Sequence, residues 1–225
     1  TVFSNVMEEV EKKFSKLEDT IYFGVIGGVD LSLSYMIASN ADKGYFFDKN
    51  PSAIDYFHQR TELFKVTDNP EEYISELKID NEKAHKKLSI YINLLEKKHP
   101  KEFNDMWYNN QEKFDKIKEL IKKDKIKSFK ADYYDDGDSF ITHLMELEKV
   151  NNALVYLSNI AEWGCKGKEP EVFGGRNIIL KDKLKDLDTA AIVESRPQGN
   201  NYISVKSWPS KGYAKQLIPI NHSNR

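Results

Sequence analysis

Cysteine is nearly missing from this sequence: Cys165 stands alone, so neither an intramolecular disulfide nor a thiolate-rich metal site can form. That usage suits a reducing compartment, and a cytoplasmic location is the expectation. Long apolar runs are missing too. No stretch approaches the roughly eighteen consecutive apolar residues of a membrane-spanning helix, and the first residues read as an amphipathic segment rather than a basic-then-apolar signal. Nor does one sign of charge dominate. Lys and Arg number 34 against 36 Asp and Glu, a formal charge of −2. No global basic field exists to hold a nucleic acid, so no nucleic-acid or membrane partner is expected and a small-molecule substrate is.

Familiar catalytic signatures are also lacking. His58, His85, His99, His143 and His222 show no metal-ligand spacing with one another or with Cys165, and no Gly-x-Ser-x-Gly elbow marks a hydrolase nucleophile. Asp132, Asp135, Asp136 and Asp138 gather around Gly137, yet no Glu closes them into the full calcium loop. No bound metal is expected.

Against these absences, residues 20–51 carry the strongest local pattern. The apolar, β-branched and aromatic run Ile21-Tyr22-Phe23 meets Gly24, Gly27 and Gly28, and an apolar, helix-periodic segment from Leu31 to Ala38 follows. This is strand, tight turn, helix. A second short run, Tyr45 to Phe47, ends on Asp48, twenty residues beyond Gly28, the distance expected across one βαβ unit of a nucleotide-binding fold. Glycines let a backbone approach a ligand, and a carboxylate at the next strand end can accept two ribose hydroxyls. The order Gly-Val-Ile-Gly-Gly-Val-Asp differs from the Gly-x-Gly-x-x-Gly spacing that seats a dinucleotide pyrophosphate on a helix N-terminus.

The rest of the chain alternates strands and helices around one long interruption. Phe3, Val6, Met7, Val10, Phe14 and Leu17 predict an amphipathic helix over 4–18. Asn50-Pro51 and Asn69-Pro70 are helix starts, an N-cap followed by Pro at the first helical position. From there to residue 124 the spacing is helical almost throughout, where a minimal crossover needs only a handful of residues. We read about 69–124 as a helical insertion, serving either as a lid over the nucleotide site or as a surface hairpin that extends the core. Strands are expected at Lys127 to Ala131, Ala153 to Leu157 and Ala190 to Val193, with a helix begun by Ser139 between the first two and short helical spacing from Leu180 to Leu187. Two final runs, Tyr202 to Ser207 and Leu217 to Ile220, lack a helix between them and suggest a terminal antiparallel hairpin. The fold expected is α/β over 1–225 in a single domain: a doubly wound, mostly parallel, seven-stranded sheet with a C-terminal antiparallel hairpin and a helical insertion after the second strand.

This order of elements resembles the class I S-adenosylmethionine-dependent methyltransferases. Phe23 to Gly28 occupies the place of their first motif, Asp48 that of the acid binding the ribose, Asp132 that of the residue near the adenine amine, and Leu157 to Trp163 that of their fourth motif. The resemblance implies S-adenosyl-L-methionine as cofactor, bound through Gly24, Gly27, Gly28, Asp48, Asp132, Ser158 and Asn159. It also implies that Asn159 and Tyr133 or Tyr134 orient an acceptor for methyl transfer. Asp48-Lys49-Asn50-Pro51 together with the fourth-motif segment is similar as well to enzymes of this fold that use the aminocarboxypropyl arm, by transfer or by cyclisation releasing methylthioadenosine. A nicotinamide-dependent oxidoreductase and a non-catalytic Rossmann-like binding module are the remaining alternatives.

Overall fold

The structure is a computed structural model of the chain and describes residues 2–26, 29–98, 100–132, 138–158, 184–196 and 202–209. The chain opens with α1 (Val2–Phe14), then β1 (Thr20–Val25), α2 (Val29–Ala38) and β2 (Lys43–Asp48). Only helical elements follow before the next strand: α3 (Pro51–Val66), α4 (Pro70–Asp80), α5 (Glu82–Lys98), α6 (Pro100–Asp105), a 3-10 turn over Trp107–Asn109, and α7 (Gln111–Lys122). β3 (Ile126–Lys130), α8 (Asp138–Glu148), β4 (Asn152–Ser158), β5 (Thr189–Arg196) and β6 (Tyr202–Pro209) complete the described elements.

The strands form one sheet in the order β3-β2-β1-β4-β5-β6. The first five are parallel, and β6 runs antiparallel beside β5, Thr189 opposite Pro209 and Arg196 opposite Tyr202. Six strands are therefore present among the described residues where seven were expected. The expected seventh, Leu217 to Ile220, lies outside them, and so does the first half of the Leu180 to Leu187 segment. The antiparallel partner of β6 is β5.

Both faces of the sheet are covered, which explains why the central strands read as continuous apolar runs rather than as alternating ones. All six residues of β1 are buried. On one face Tyr22 meets Ser32 of α2, Phe46 meets Phe57 of α3 and Tyr156 meets Tyr35 of α2. On the other, Phe47 and Phe129 meet Phe140 of α8, and Tyr45 donates to Glu148 at the end of that helix. Strand alternation of period two assigns Tyr22 and Gly24 to the first face and Phe23 to the second.

The Asn-Pro pairs act as the spacing predicts. The side chain of Asn50 accepts from the amide of Ser52 at 3.1 Å, and that of Asn69 from the amide of Glu72 at 2.8 Å. Glu72 in turn accepts from the amide of Asp68 at 2.7 Å, so two otherwise orphaned donors are satisfied reciprocally. Asn110 caps α7 through the amide of Lys113. The long helical stretch is joined to the α3 side of the sheet through an aromatic knot. Phe64 of α3 has ring centroids 4.5 Å from Tyr73, 5.0 Å from Trp107 and 5.0 Å from Phe114, all four side chains fully buried.

Candidate functional site

In a parallel sheet whose order reverses beside its first strand, the loops leaving the carboxyl ends separate and open a crevice there. Here the reversal falls between β1 and β4, with β2 and β3 on one side and β5 on the other. Register brings the expected residues to that edge. Gly24 pairs with Phe46 of β2 and Tyr156 of β4, so Asp48 and Ser158 each end a strand flanking β1, two residues beyond those partners. Asp132 follows β3, whose Lys130 pairs with Asp48. Gly24, Asp48, Asp132 and Ser158 thus share one end of the sheet. Gly27, Gly28, Tyr133, Tyr134 and Asn159 lie outside the described residues.

Asp48 is half-buried, and its Oδ1 accepts the amide of Asn50 at 2.9 Å. That bond fixes the carboxylate at the strand end, just before the cap of α3, and leaves its second oxygen to other donors. Asp132 is likewise half-buried. Gly24 has another duty. A Cβ built on it would lie 2.5 and 2.6 Å from Cε1 and Cζ of Tyr22, and would also meet that ring's hydroxyl. The space beside Gly24 is therefore filled by Tyr22, whose hydroxyl is hydrogen-bonded to Ser32 Oγ at 2.7 Å.

A second polar group adjoins this edge. Arg60 of α3 is buried to 1 % exposure. Its Nε donates to the Tyr73 hydroxyl, Nη1 to the Tyr56 hydroxyl at 2.6 Å, and Nη2 to the carboxylate of Asp30 in the first turn of α2. Its guanidinium also lies 5.5 and 5.3 Å from the ring centres of Tyr56 and Tyr73. Burial opposes the charge of Arg60, but Asp30 and the two phenols outweigh it and hold the group more firmly protonated than a free arginine. Burial pushes the Tyr73 hydroxyl up, so it stays a neutral donor and acceptor. The network ties the helical stretch, through Tyr73, to the first turn of α2.

Nothing in the motif pattern flags Arg60 or Asp30. A signal did exist, because Arg60 falls three residues after Phe57 and four before Phe64, on the apolar stripe of its own helix. A charge placed on such a stripe is buried and must find a counter-charge. Elsewhere, the hydroxyls of Tyr35 and Tyr108 are buried with no hydrogen-bond partner among the described residues. An orphaned buried hydroxyl costs about 1–3 kcal/mol relative to a satisfied one.

Comparisons with known proteins are sparse. Residues 81–169 match the model of a family described as a domain of unknown function, DUF7790. No curated protein matches the sequence. Among solved structures the chain is similar to the rRNA methyltransferase aviRa from Streptomyces viridochromogenes, with a TM-score of 0.42 and 11 % identity over 85 % of this chain and 73 % of that one. No described helix is long and apolar enough to cross a membrane.

Proposed function

We propose that the protein is an S-adenosylmethionine-dependent transferase that moves a methyl group to a small-molecule acceptor. One observation carries the reading: Asp48 ends β2 beside β1, at the crevice edge where the strand order reverses, with its carboxylate held by the Asn50 amide. A fixed, half-buried carboxylate in that place suits the vicinal hydroxyls of a ribose. Gly27 and Gly28, which follow β1 in the sequence after Ile26, would let the backbone approach the rest of the cofactor, and Asp132 would receive the adenine amine. Ser158 and Asn159 would hold the methionine portion.

When bound, S-adenosylmethionine supplies a sulfonium carbon that is already electrophilic, so this chain's residues need only orient an acceptor in line with it and exclude water. Asn159, Tyr133 and Tyr134 take the orienting role in this reading, and the helices between Pro70 and Lys122 serve as the cover.

Isothermal titration with S-adenosylmethionine, S-adenosylhomocysteine and NAD tests the proposal. The adenosyl compounds should bind and NAD should not. Asp48→Ala should lose at least about tenfold in affinity, since hydrogen bonds to a charged group contribute about 1.5–3 kcal/mol. Methylthioadenosine found by mass analysis after incubation would redirect the chemistry to the aminocarboxypropyl arm, and binding of neither adenosyl compound would end the proposal.

A further inference from the structure

Arg60 joins three helices at one buried point. From α3, its Nη2 donates to Asp30 in the first turn of α2 and its Nε to the Tyr73 hydroxyl of α4. Its Nη1 donates to Tyr56, one turn back on α3 itself, at 2.6 Å. The Tyr73 hydroxyl in turn donates to the Arg60 carbonyl at 3.5 Å. The two outer helices have different places in the fold. α4 belongs to the helical stretch between β2 and β3, whereas α2 starts at Val29, four residues after β1 ends at Val25, so its amino end lies at the crevice edge.

Stability alone does not explain this ion pair. Taking two charges out of water costs about as much as their attraction returns, and apolar residues of similar volume commonly hold a core as well. Nor does either outer helix depend on it for attachment. α4 is held to α3 by Tyr73 against Phe64, with ring centroids 4.5 Å apart, and α2 is held to the sheet by Ser32 bonded to Tyr22 and by Tyr35 against Tyr156. Residues 32–39 of this region are buried, but Asp30 and Leu31 are partly exposed. Burial therefore fixes the body of α2 more firmly than its first turn. A planar fork of donors supplies direction there, placing Asp30 relative to α3 and α4.

We propose that Arg60 is a positioning residue: through Tyr73 and Asp30 it makes the docking of α4 set the place of the first turn of α2, so that α4 and a ligand in the crevice stabilise one another. A ligand seated against the amino end of α2 favours the arrangement in which all three bonds of Arg60 are made. By linkage, an intact tie to α4 then strengthens the ligand by the same factor as the ligand strengthens the tie. The ligand is the cofactor of the transferase reading proposed above, on which this half of the proposal rests. The tie between α4 and α2 stands on the hydrogen bonds themselves. Tyr56 supplies a contrast, because its bond to the same guanidinium stays within one helix and connects nothing else.

Hydrogen–deuterium exchange of the full chain, with and without S-adenosylhomocysteine, tests this on the parent, Tyr73→Phe and Tyr56→Phe. Both substitutions keep the ring and remove one hydrogen bond to Arg60. The reference is α8, on the opposite face of the sheet, whose exchange registers any loss of global stability. In the free protein, Tyr73→Phe should speed exchange over α2 at least about fivefold more than over α8, and Tyr56→Phe should change the two helices alike. In the parent, S-adenosylhomocysteine should slow exchange over α4 at least about fivefold relative to α8, an effect lost in Tyr73→Phe and kept in Tyr56→Phe; its affinity should fall about fivefold in Tyr73→Phe alone. If the two variants act alike, Arg60 is merely structural and the proposal is overturned. If S-adenosylhomocysteine binds yet leaves α4 exchange unmoved, the coupling fails and the cofactor reading stands. If S-adenosylhomocysteine does not bind, the transferase reading fails, and the α2 exchange of the two free variants upholds or overturns the tie by itself.

Discussion

Replacing Gly24 by alanine separates a packing role for this glycine from a cofactor role. The residue sits in β1 between two paired strands, so its backbone cannot retreat without disturbing both ladders. Its new methyl would stand 2.5 and 2.6 Å from ring carbons of Tyr22, a side chain with no exposed surface and a hydroxyl bonded to Ser32. Overpacking of this kind costs about 1–3 kcal/mol, and displacing the ring sacrifices the buried hydrogen bond, about 1 kcal/mol more. We expect Gly24→Ala to destabilise by about 3 kcal/mol, a fall in Tm of roughly 6–12 °C for a chain of this size. Urea unfolding of the single variants and of Gly24→Ala/Tyr22→Leu gives the assay. The shortened side chain should relieve most of the penalty, so the double variant should be more stable than the sum of the singles predicts. A Gly24→Ala protein as stable as the parent, or a penalty untouched by Tyr22→Leu, would refute the steric argument. S-adenosylhomocysteine affinity lost without loss of stability would instead make Gly24 a cofactor residue.

Gly44 supplies a contrast: its added methyl would meet Met36 Sδ at 2.5 Å and Phe46 Cε2 at 2.9 Å. The flexible thioether can give way, so Gly44→Ala should cost less than Gly24→Ala in the same unfolding assay. Arg60→Met should destabilise by about 3–5 kcal/mol because Asp30 loses its buried partner, and Arg60→Met/Asp30→Asn should recover part of that; a single variant within about 1 kcal/mol of the parent would contradict the network. The Glu148 carboxyl is held below its ordinary range by hydrogen bonds from Lys43 and Tyr45. Its contribution is therefore complete above the unfolded value of about 4.3 and fades as pH falls from there through the lower folded value. Glu148→Gln should flatten the loss of stability over that acid window, and an unchanged stability–pH curve would remove Glu148 as a contributor.

Much of the architecture was readable locally. Asn50-Pro51 and Asn69-Pro70 start α3 and α4 because a side-chain acceptor before a ring-locked φ satisfies helix donors whatever surrounds them. β1, β2 and β4 announce themselves as apolar runs, since strands covered on both faces have no polar side to alternate with. β3, at the sheet edge, is only partly buried and starts at Ile126, one residue before the reading from sequence. The pairing of β6 directly with β5 was not readable, because an extended segment carries no label for its partner.

The sequence by itself determined the alternation of strands and helices, the long helical stretch between β2 and β3, and the placing of Gly24 and Asp48 at the end of successive strands, all consequences of spacing along one chain. Tertiary structure alone decided what those residues touch. Gly24 is small because Tyr22, two residues earlier on the same face, folds over it. Arg60 is buried because Asp30, thirty residues away, lies opposite it at the start of α2. Tyr108, far from Tyr35 in the chain, lies on a 3-10 turn that only the folded chain packs against α2. Side-chain volume and charge are set residue by residue, but counter-charges, steric neighbours and hydrogen-bond partners exist only once distant segments are brought together.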